Sequence, residues 1–302
     1  MKTNDPLPAH GERWPPLDAA RLNGALTSAP GLWREIRVVE ETGSTNADLL
    51  AEARSGARDG VVLVAEAQTA GRGRLGRRWV SPPRGTLTFS VLLRPAGVPA
   101  GLLGWLPLLA GVATASALSG TAGVDARLKW PNDVLAGGAK LAGILAERWA
   151  EAIVLGIGIN VFQRRDELPV PTATSLLLAA PDAVSRPAGA DRPDVRERLL
   201  AAVLDELARW YRAWLDQPRP GDADACGLRA EYLRRSDTVG AEVTVMLPGG
   251  QNLTGTATGV DPAGRLEVHA PGGLVRVSAG DVVHLRATGG GSRPRGEMSR
   301  FT

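Results

Sequence analysis

Apolar residues along this chain repeat at two spacings, and each change of spacing marks an element. In "REIRVVEETGSTNADLLAEARSGA" a short strand and a turn give way to a helix with Leu49, Leu50 and Ala53 facing inward. Ser44 or Thr45 is placed to cap that helix and Gly56 to end it. "GVVLVAEAQ" predicts a strand from Val61 to about Gln68, and "GTLTFSVLLRP" another from Gly85 to Pro95. "GLLGWLPLLAGVATASAL" reads as a buried helix. "ARLKWPNDVLAGGAKLAGILAERWAEAIVLGIGIN" reads as three strands, turning at "AGG" and "WAEA". Beyond a polar loop at 180–193, Leu199, Leu200, Val203, Leu207, Trp210 and Trp214 recur at helical spacing. From Ser236 the pattern becomes four or five short strands with Gly/Pro turns, the size of a small SH3-like barrel.

The expected architecture is α+β. A mixed, mainly antiparallel sheet with flanking helices occupies 31–235, and a β-barrel occupies 236–286. A flexible Pro-rich lead-in (1–30) and a disordered tail (287–302) complete it.

Composition narrows the chemistry. Apolar residues make 44% and charged residues 22% of 302, an ordinary globular balance. The net charge of +3 implies no general attraction to nucleic acid or lipid. One cysteine (Cys226) and three histidines (His10, His269, His284) leave no Cys/His zinc cluster, make a histidine triad unexpected, and fit a cytoplasmic setting. The first residues lack a secretory apolar region, and "LLGWLPLLAGVA" is too short to span a membrane.

The local charge is more informative. "AQTAGRGRLGRRW" carries Arg72, Arg74, Arg77 and Arg78 around Gly71, Gly73 and Gly76. Its G-x-G-x-x-G is not a dinucleotide fingerprint, because Pro82 and Pro83 preclude the helix and no acidic residue occurs before Asp125. No Walker or kinase strings accompany it. Glycines that let the backbone approach closely, beside permanently charged forked donors, suit a phosphate. Four like charges so close predict a mobile loop that orders on an anion. "LKWPND" sets Lys129 at a strand end, with Pro131 expected to hold Trp130 extended. "GIGIN" puts Gly156 and Gly158 on one strand face, a mark of close approach by a ligand or of weakened packing.

Taken together, "ETGSTNADLL", "AEAQTAGRGRLGRRWVSPPRGTLTFSVLLRP", "LKWPNDVLAGGAKLAGILAE" and "LGIGIN" resemble the biotin protein ligase family, in order and spacing. The resemblance implies a class II synthetase-like catalytic fold with an SH3-like C-terminal domain. It implies ATP and biotin as substrates, Mg²⁺ on the triphosphate with no confident protein ligand, and biotinyl-5′-AMP as intermediate. The acceptor would be a lysine of the biotin carboxyl carrier protein of acetyl-CoA or another acyl-CoA carboxylase. By the same resemblance Ser44, Thr45, Asn46, Gln68, Arg72, Gly73, Arg74, Lys129, Gly143, Gly156 and Gly158 would hold biotin. Arg74, Arg77, Trp79, Lys129, Asn132 and Asn160 would meet ATP or the adenylate, with Lys129 and Arg74 catalytic. Asp133 is a candidate base for the transfer, or only an orienting group for Lys129. The short lead-in differs from family members that carry a DNA-binding repressor domain, so neither a DNA nor a membrane partner is expected, and a monomer or weak homodimer is. The nearest rivals are a lipoate ligase or octanoyltransferase and, further off, a nucleic-acid-binding protein. The last would need surface aromatics that residues 236–286 lack.

Overall fold

The computed structural model describes residues 14–26, 31–184 and 194–285. The expected mobile tail, most of the loop at 180–193 and the first part of the lead-in lie outside them. In chain order the elements are α1 (Ala19–Leu26), β1 (Glu35–Thr42), α2 (Thr45–Arg54), β2 (Val61–Gln68), β3 (Thr86–Leu93), α3 (Trp105–Ala122), β4 (Ala126–Lys129), β5 (Asp133–Ala136), β6 (Ala139–Trp149) and β7 (Ala152–Asn160). Two single-turn helices follow, α4 (Leu176–Ala179) and α5 (Pro181–Val184), then α6 (Val195–Leu215) and α7 (Leu228–Arg235). The last five strands are β8 (Glu242–Met246), β9 (Asn252–Val260), β10 (Leu266–Ala270), β11 (Gly273–Val277) and β12 (Asp281–His284).

Seven strands form one sheet in the order β1-β2-β3-β7-β6-β5-β4, parallel only between β1 and β2. The C-terminal strands make a separate antiparallel sheet, β11-β10-β9-β8-β12. The expected mixed, mainly antiparallel sheet is present, and the terminal unit, expected with four or five strands, has five.

Alternation along the central strands assigns each face. Leu87, Phe89, Val91 and Leu93 of β3, with Ile153, Leu155, Ile157 and Ile159 of β7, enter the main core beneath α3, which α6 covers in turn. Each such fully buried side chain contributes about 1.5–3 kcal/mol relative to exposure. Residues 100–122 are long and apolar enough to cross a membrane, but two-thirds of their most apolar 18-residue stretch is buried, so packing accounts for that apolarity. On the opposite face Leu63, Leu92, Ala152 and Val154 pack under Leu49, Leu50 and Ala53 of α2. Further along, that face changes character: β3 offers Ser90, Thr88 and Thr86, and β7 offers Gly156 and Gly158. The apolar floor ends near where α2 begins, and the candidate site lies there.

Two expectations need correction. "LKWPND" does not continue a strand: the chain reverses at Trp130–Asn132, with a cis Trp130–Pro131 bond, so that Lys129 of β4 pairs with Asp133 of β5. There are four strands where three were expected, because the proline serves a hairpin turn rather than an extended run. The lead-in is also not wholly flexible. Residues 14–26 form a strap with Leu17 and Leu22 buried and Trp14 stacked on Phe162, ring centroids 3.7 Å apart. Glu66 and Arg196, paired inside the protein, hold the strap through the Leu17 amide and the Pro15 carbonyl. Losing either partner would leave a buried charge uncompensated, at a cost of about 3–5 kcal/mol.

Candidate active site

Strand register brings the site together. Thr88, Gly158, Gly143, Asp133 and Lys129 are successive cross-strand partners on β3, β7, β6, β5 and β4, all on the face opposite α3. At about 4.8 Å per strand the row runs roughly 14 Å from Gly158 to Lys129. It forms a glycine-floored trough with a lysine at its far end. The neighbouring row is Ser90, Gly156 and Leu145.

Both floor glycines sit under side chains too close to admit a Cβ. One on Gly156 would lie 2.3 Å from the Asn46 Oδ1, and one on Gly158 would lie 2.5 Å from the Trp79 ring. Trp79 also reaches over Gly143, and its buried indole N–H has no acceptor among the described residues. The indole occupies the trough itself rather than standing beside it as a wall.

A chain of hydrogen bonds closes the Gly156 end. Ser44 sits at the N-cap of α2, yet its hydroxyl caps nothing; Gln68 Oε1 instead accepts the Thr45 N–H at 2.8 Å. Thr45 Oγ1 lies 2.7 Å from Ser90 Oγ, which bonds Asn46 Oδ1 at 2.6 Å, and Asn46 Nδ2 donates to Glu147 at 2.8 Å. Thr45, Asn46 and Ser90 are all buried. Sequence reasoning missed Ser90 and Glu147. Thr86, Thr88 and Ser90 did carry a signal, being polar at every second position of an otherwise apolar strand.

The arginine loop is folded over the other end. Trp79 N–H donates to Gly71 O, Gly73 N–H to Arg77 O, and Arg72 bridges Arg78, giving a tight hairpin with Leu75 at φ 54° on its tip. Arg72 and Arg78 point to solvent. Arg74 turns inward, donating to Asn132 Oδ1 at 3.1 Å and Gly280 O at 3.2 Å. Asp281 binds Arg77 at 2.7 Å and approaches Arg74 at 3.5 Å. Repulsion among the four arginines, expected to loosen the loop, is relieved by a carboxylate about 200 residues away in sequence. No local pattern could have pointed to it.

The Lys129 side chain is half-buried and forms no hydrogen bond or ion pair among the described residues. Its neighbour Asp133 is held by Lys140 at 2.5 Å. Burial pushes the Lys129 pKa below its ordinary value; Asp133 draws it back up, and Lys140 lowers it further. Arg74 is shifted down as well, chiefly by burial and against the pull of Asp281. Partly desolvated cations lacking an adequate counter-charge make a site for an anion. Asn132 braces the turn by donating to Ile144 O at 2.9 Å. The Asn160 side chain donates to Thr174 O and accepts from Gln163, so its buried amide holds the following loop. Among the described residues no three His, Cys, Asp or Glu are grouped to hold a metal.

Comparison with known proteins agrees with this geometry. Residues 38–162 match the biotin/lipoate A/B protein ligase family, and residues 238–285 match the biotin protein ligase C-terminal domain. The chain is 47% identical to the biotin–[acetyl-CoA-carboxylase] ligase of Mycobacterium tuberculosis, over 90% of this chain and 97% of that one. It is 34% identical to the enzyme of that name from Paracoccus denitrificans, over 81% and 98%. The biotin protein ligase of Aquifex aeolicus, solved with biotin and ATP, superposes with a TM-score of 0.67 at 28% identity, over 84% of this chain and all of that one. The first matched region holds the whole trough and the arginine loop, and the second holds Asp281.

Proposed function

The chain belongs to the biotin protein ligase family, and on that premise we propose how its residues divide the two half-reactions. It is an ATP-dependent ligase that activates biotin as biotinyl-5′-AMP and passes the biotinyl group to a lysine of a carrier protein. The observation that supports the division is the row from Gly158 to Lys129, a glycine floor that a flat, uncharged head group would reach once the Trp79 indole lifts from it, with a cation at the far end.

In the first step a biotin carboxylate oxygen attacks the α-phosphorus of ATP and the bond to pyrophosphate breaks. Two anions must meet, so what the protein supplies is positive charge and placement. Lys129 sits at the carboxylate end of the trough, between biotin and the α-phosphate, while Arg74 and Arg77 face the phosphates. Ser44, Thr45, Asn46 and Gln68 enclose the ureido ring; Gly143, Gly156 and Gly158 form the floor, and Gly73 lets the loop backbone close. Arg72, outward in this structure, would have to turn in to reach biotin. Magnesium would enter with the nucleotide, held mainly by phosphate oxygens, since the nearby Asp133 is already engaged by Lys140. In the second step the carrier lysine nitrogen attacks the acyl carbon, the bond to AMP breaks and the nitrogen loses a proton. Asp133, paired as it is, serves better to tune Lys129 than to take that proton.

The carrier would be that of acetyl-CoA or another acyl-CoA carboxylase. We also propose a monomer or weak homodimer without a DNA partner, which sedimentation at two concentrations would check. Incubating the protein with ATP and either biotin or lipoate, followed by mass spectrometry, tests the reaction. Biotinyl-AMP is expected, and lipoyl-AMP as sole product would refute the reading. Arg74→Gly removes the bonds to Asn132, Gly280 and Asp281. It is expected to increase escape of the adenylate by roughly 10–100-fold, the worth of a charged hydrogen bond or two. Biotinylation of bystander lysines reports the escape; unchanged retention would remove the loop's role as a lid.

A further inference from the structure

The geometry points to Glu147 as a positioning residue that fixes the donor and acceptor polarity of the pocket end, a proposal that rests on the ligase reading above. An amide side chain can be rotated by half a turn, exchanging its carbonyl and NH₂ groups, and only its surroundings choose between the two. At Asn46 the choice is made on one side. Glu147 Oε2 lies 2.8 Å from Nδ2 and Leu145 O lies 3.3 Å from it. A carboxylate and a backbone carbonyl both accept only, so the NH₂ must face them.

The rest follows from counting protons. Asn46 Oδ1 then faces Ser90, which must direct its single proton there. Ser90 is left able only to accept, so the 2.7 Å contact with Thr45 Oγ1 takes the threonine proton. Thr45 Oγ1, also 3.1 Å from Gln68 Oε1, therefore has no proton to give that oxygen, which keeps the Thr45 backbone N–H instead. What remains uncommitted is acceptor capacity on Thr45 Oγ1 and the donor NH₂ of Gln68. An acceptor beside a donor matches a urea edge, an N–H next to a C=O. Glu147 thus governs which head group the pocket accepts without touching it. A basic residue at 147 would favour turning the Asn46 amide over, which reverses the Asn46–Ser90 and Ser90–Thr45 bonds, commits the Thr45 hydroxyl proton to Gln68 Oε1 and presents the wrong polarity.

Steady-state pyrophosphate release by the full chain, with biotin and ATP varied in turn, tests this. Glu147→Ala is expected to raise the biotin KM about tenfold, and Glu147→Lys about 100-fold, while Glu147→Gln, whose carbonyl still accepts from Asn46, stays within about threefold. The ATP KM should stay within about twofold in all three, since the chain lies away from the phosphates; a residue that merely held the fold would move both constants and the unfolding temperature together. Asn46→Ala and Glu147→Ala should be strongly non-additive in biotin KM. An unshifted biotin KM in Glu147→Ala, equal changes in both KM values, or additive effects would overturn the proposal while leaving the ligase reading intact. Absence of biotin-dependent pyrophosphate release from the wild type would overturn both.

Discussion

Lys129→Ala is expected to slow adenylate formation by roughly 10³-fold, the scale on which removal of a placed charge acts in a water-poor site. The protein should remain folded. Lys129 has no ion-pair partner among the described residues, and burial already disfavours its charge. With its folded pKa below the unfolded value near 10.5, the unfolded chain holds more protons between the two values. Stability therefore rises as pH climbs through that window, and below it the buried charge is a constant burden. The variant should unfold at neutral pH no earlier than the wild type. Activity should run the other way, falling as Lys129 loses its proton, with an alkaline limb beginning below the ordinary lysine range and missing from Lys129→Arg. Stopped-flow pyrophosphate release and a melting curve check both. Near-normal turnover in Lys129→Ala would remove its assigned role.

Gly158→Val is expected to abolish biotin binding, weakening it by about 100-fold or more. A Cβ there already falls 2.5 Å from the Trp79 ring, and two further methyl groups would fill the floor on which the bicycle is to lie. Overpacking of this kind costs about 1–3 kcal/mol of stability, less than unfolds a typical domain. Calorimetric titration with biotin, beside a melting curve, separates the effects. A dissociation constant within a few-fold of wild type would mean that the trough is not the biotin site.

Much of this was legible in the sequence, and the reason differs by element. Alternation in "TLTFSVLL" and in "GIGIN" separates two faces, because both are buried but one packs an apolar core while the other carries Thr86, Thr88, Ser90, Gly156 and Gly158. "GSTN", the arginine loop, "KWPND" and "GIGIN" are local strings, and the structure collects them around one trough. What could not be read was register. That Lys129 lies opposite Asp133, Gly143 and Gly158 depends on a hairpin turn at Trp130–Asn132, which a proline rule took for an extended run. Glu147 and Asp281 meet Asn46 and the arginines about 100 and 200 residues away in sequence, where no periodicity reaches. The strap was missed for the opposite reason. Its anchoring charges, Glu66 and Arg196, lie 49 and 181 residues from the strap positions they hold, and internal charges are unusual enough that a pattern search passes over them.

The C-terminal barrel deserves its place in the enzyme for a reason its size conceals. Asp281 and Gly280 hold Arg74 and Arg77 on one side of the trough. On the other, Thr238 Oγ1 accepts the Trp130 backbone N–H and Gly264 O accepts the Trp130 indole, so the same barrel grips the turn that carries Lys129. Lid and turn are thus both tied to one unit outside the main sheet, like two jaws referenced to a common frame. The barrel braces their separation beside the register that holds Lys129 in β4. A chain severed at the covalent seam near residue 236 would keep every residue proposed to touch biotin and lose the bonds that brace Arg74, Arg77 and the Trp130 turn.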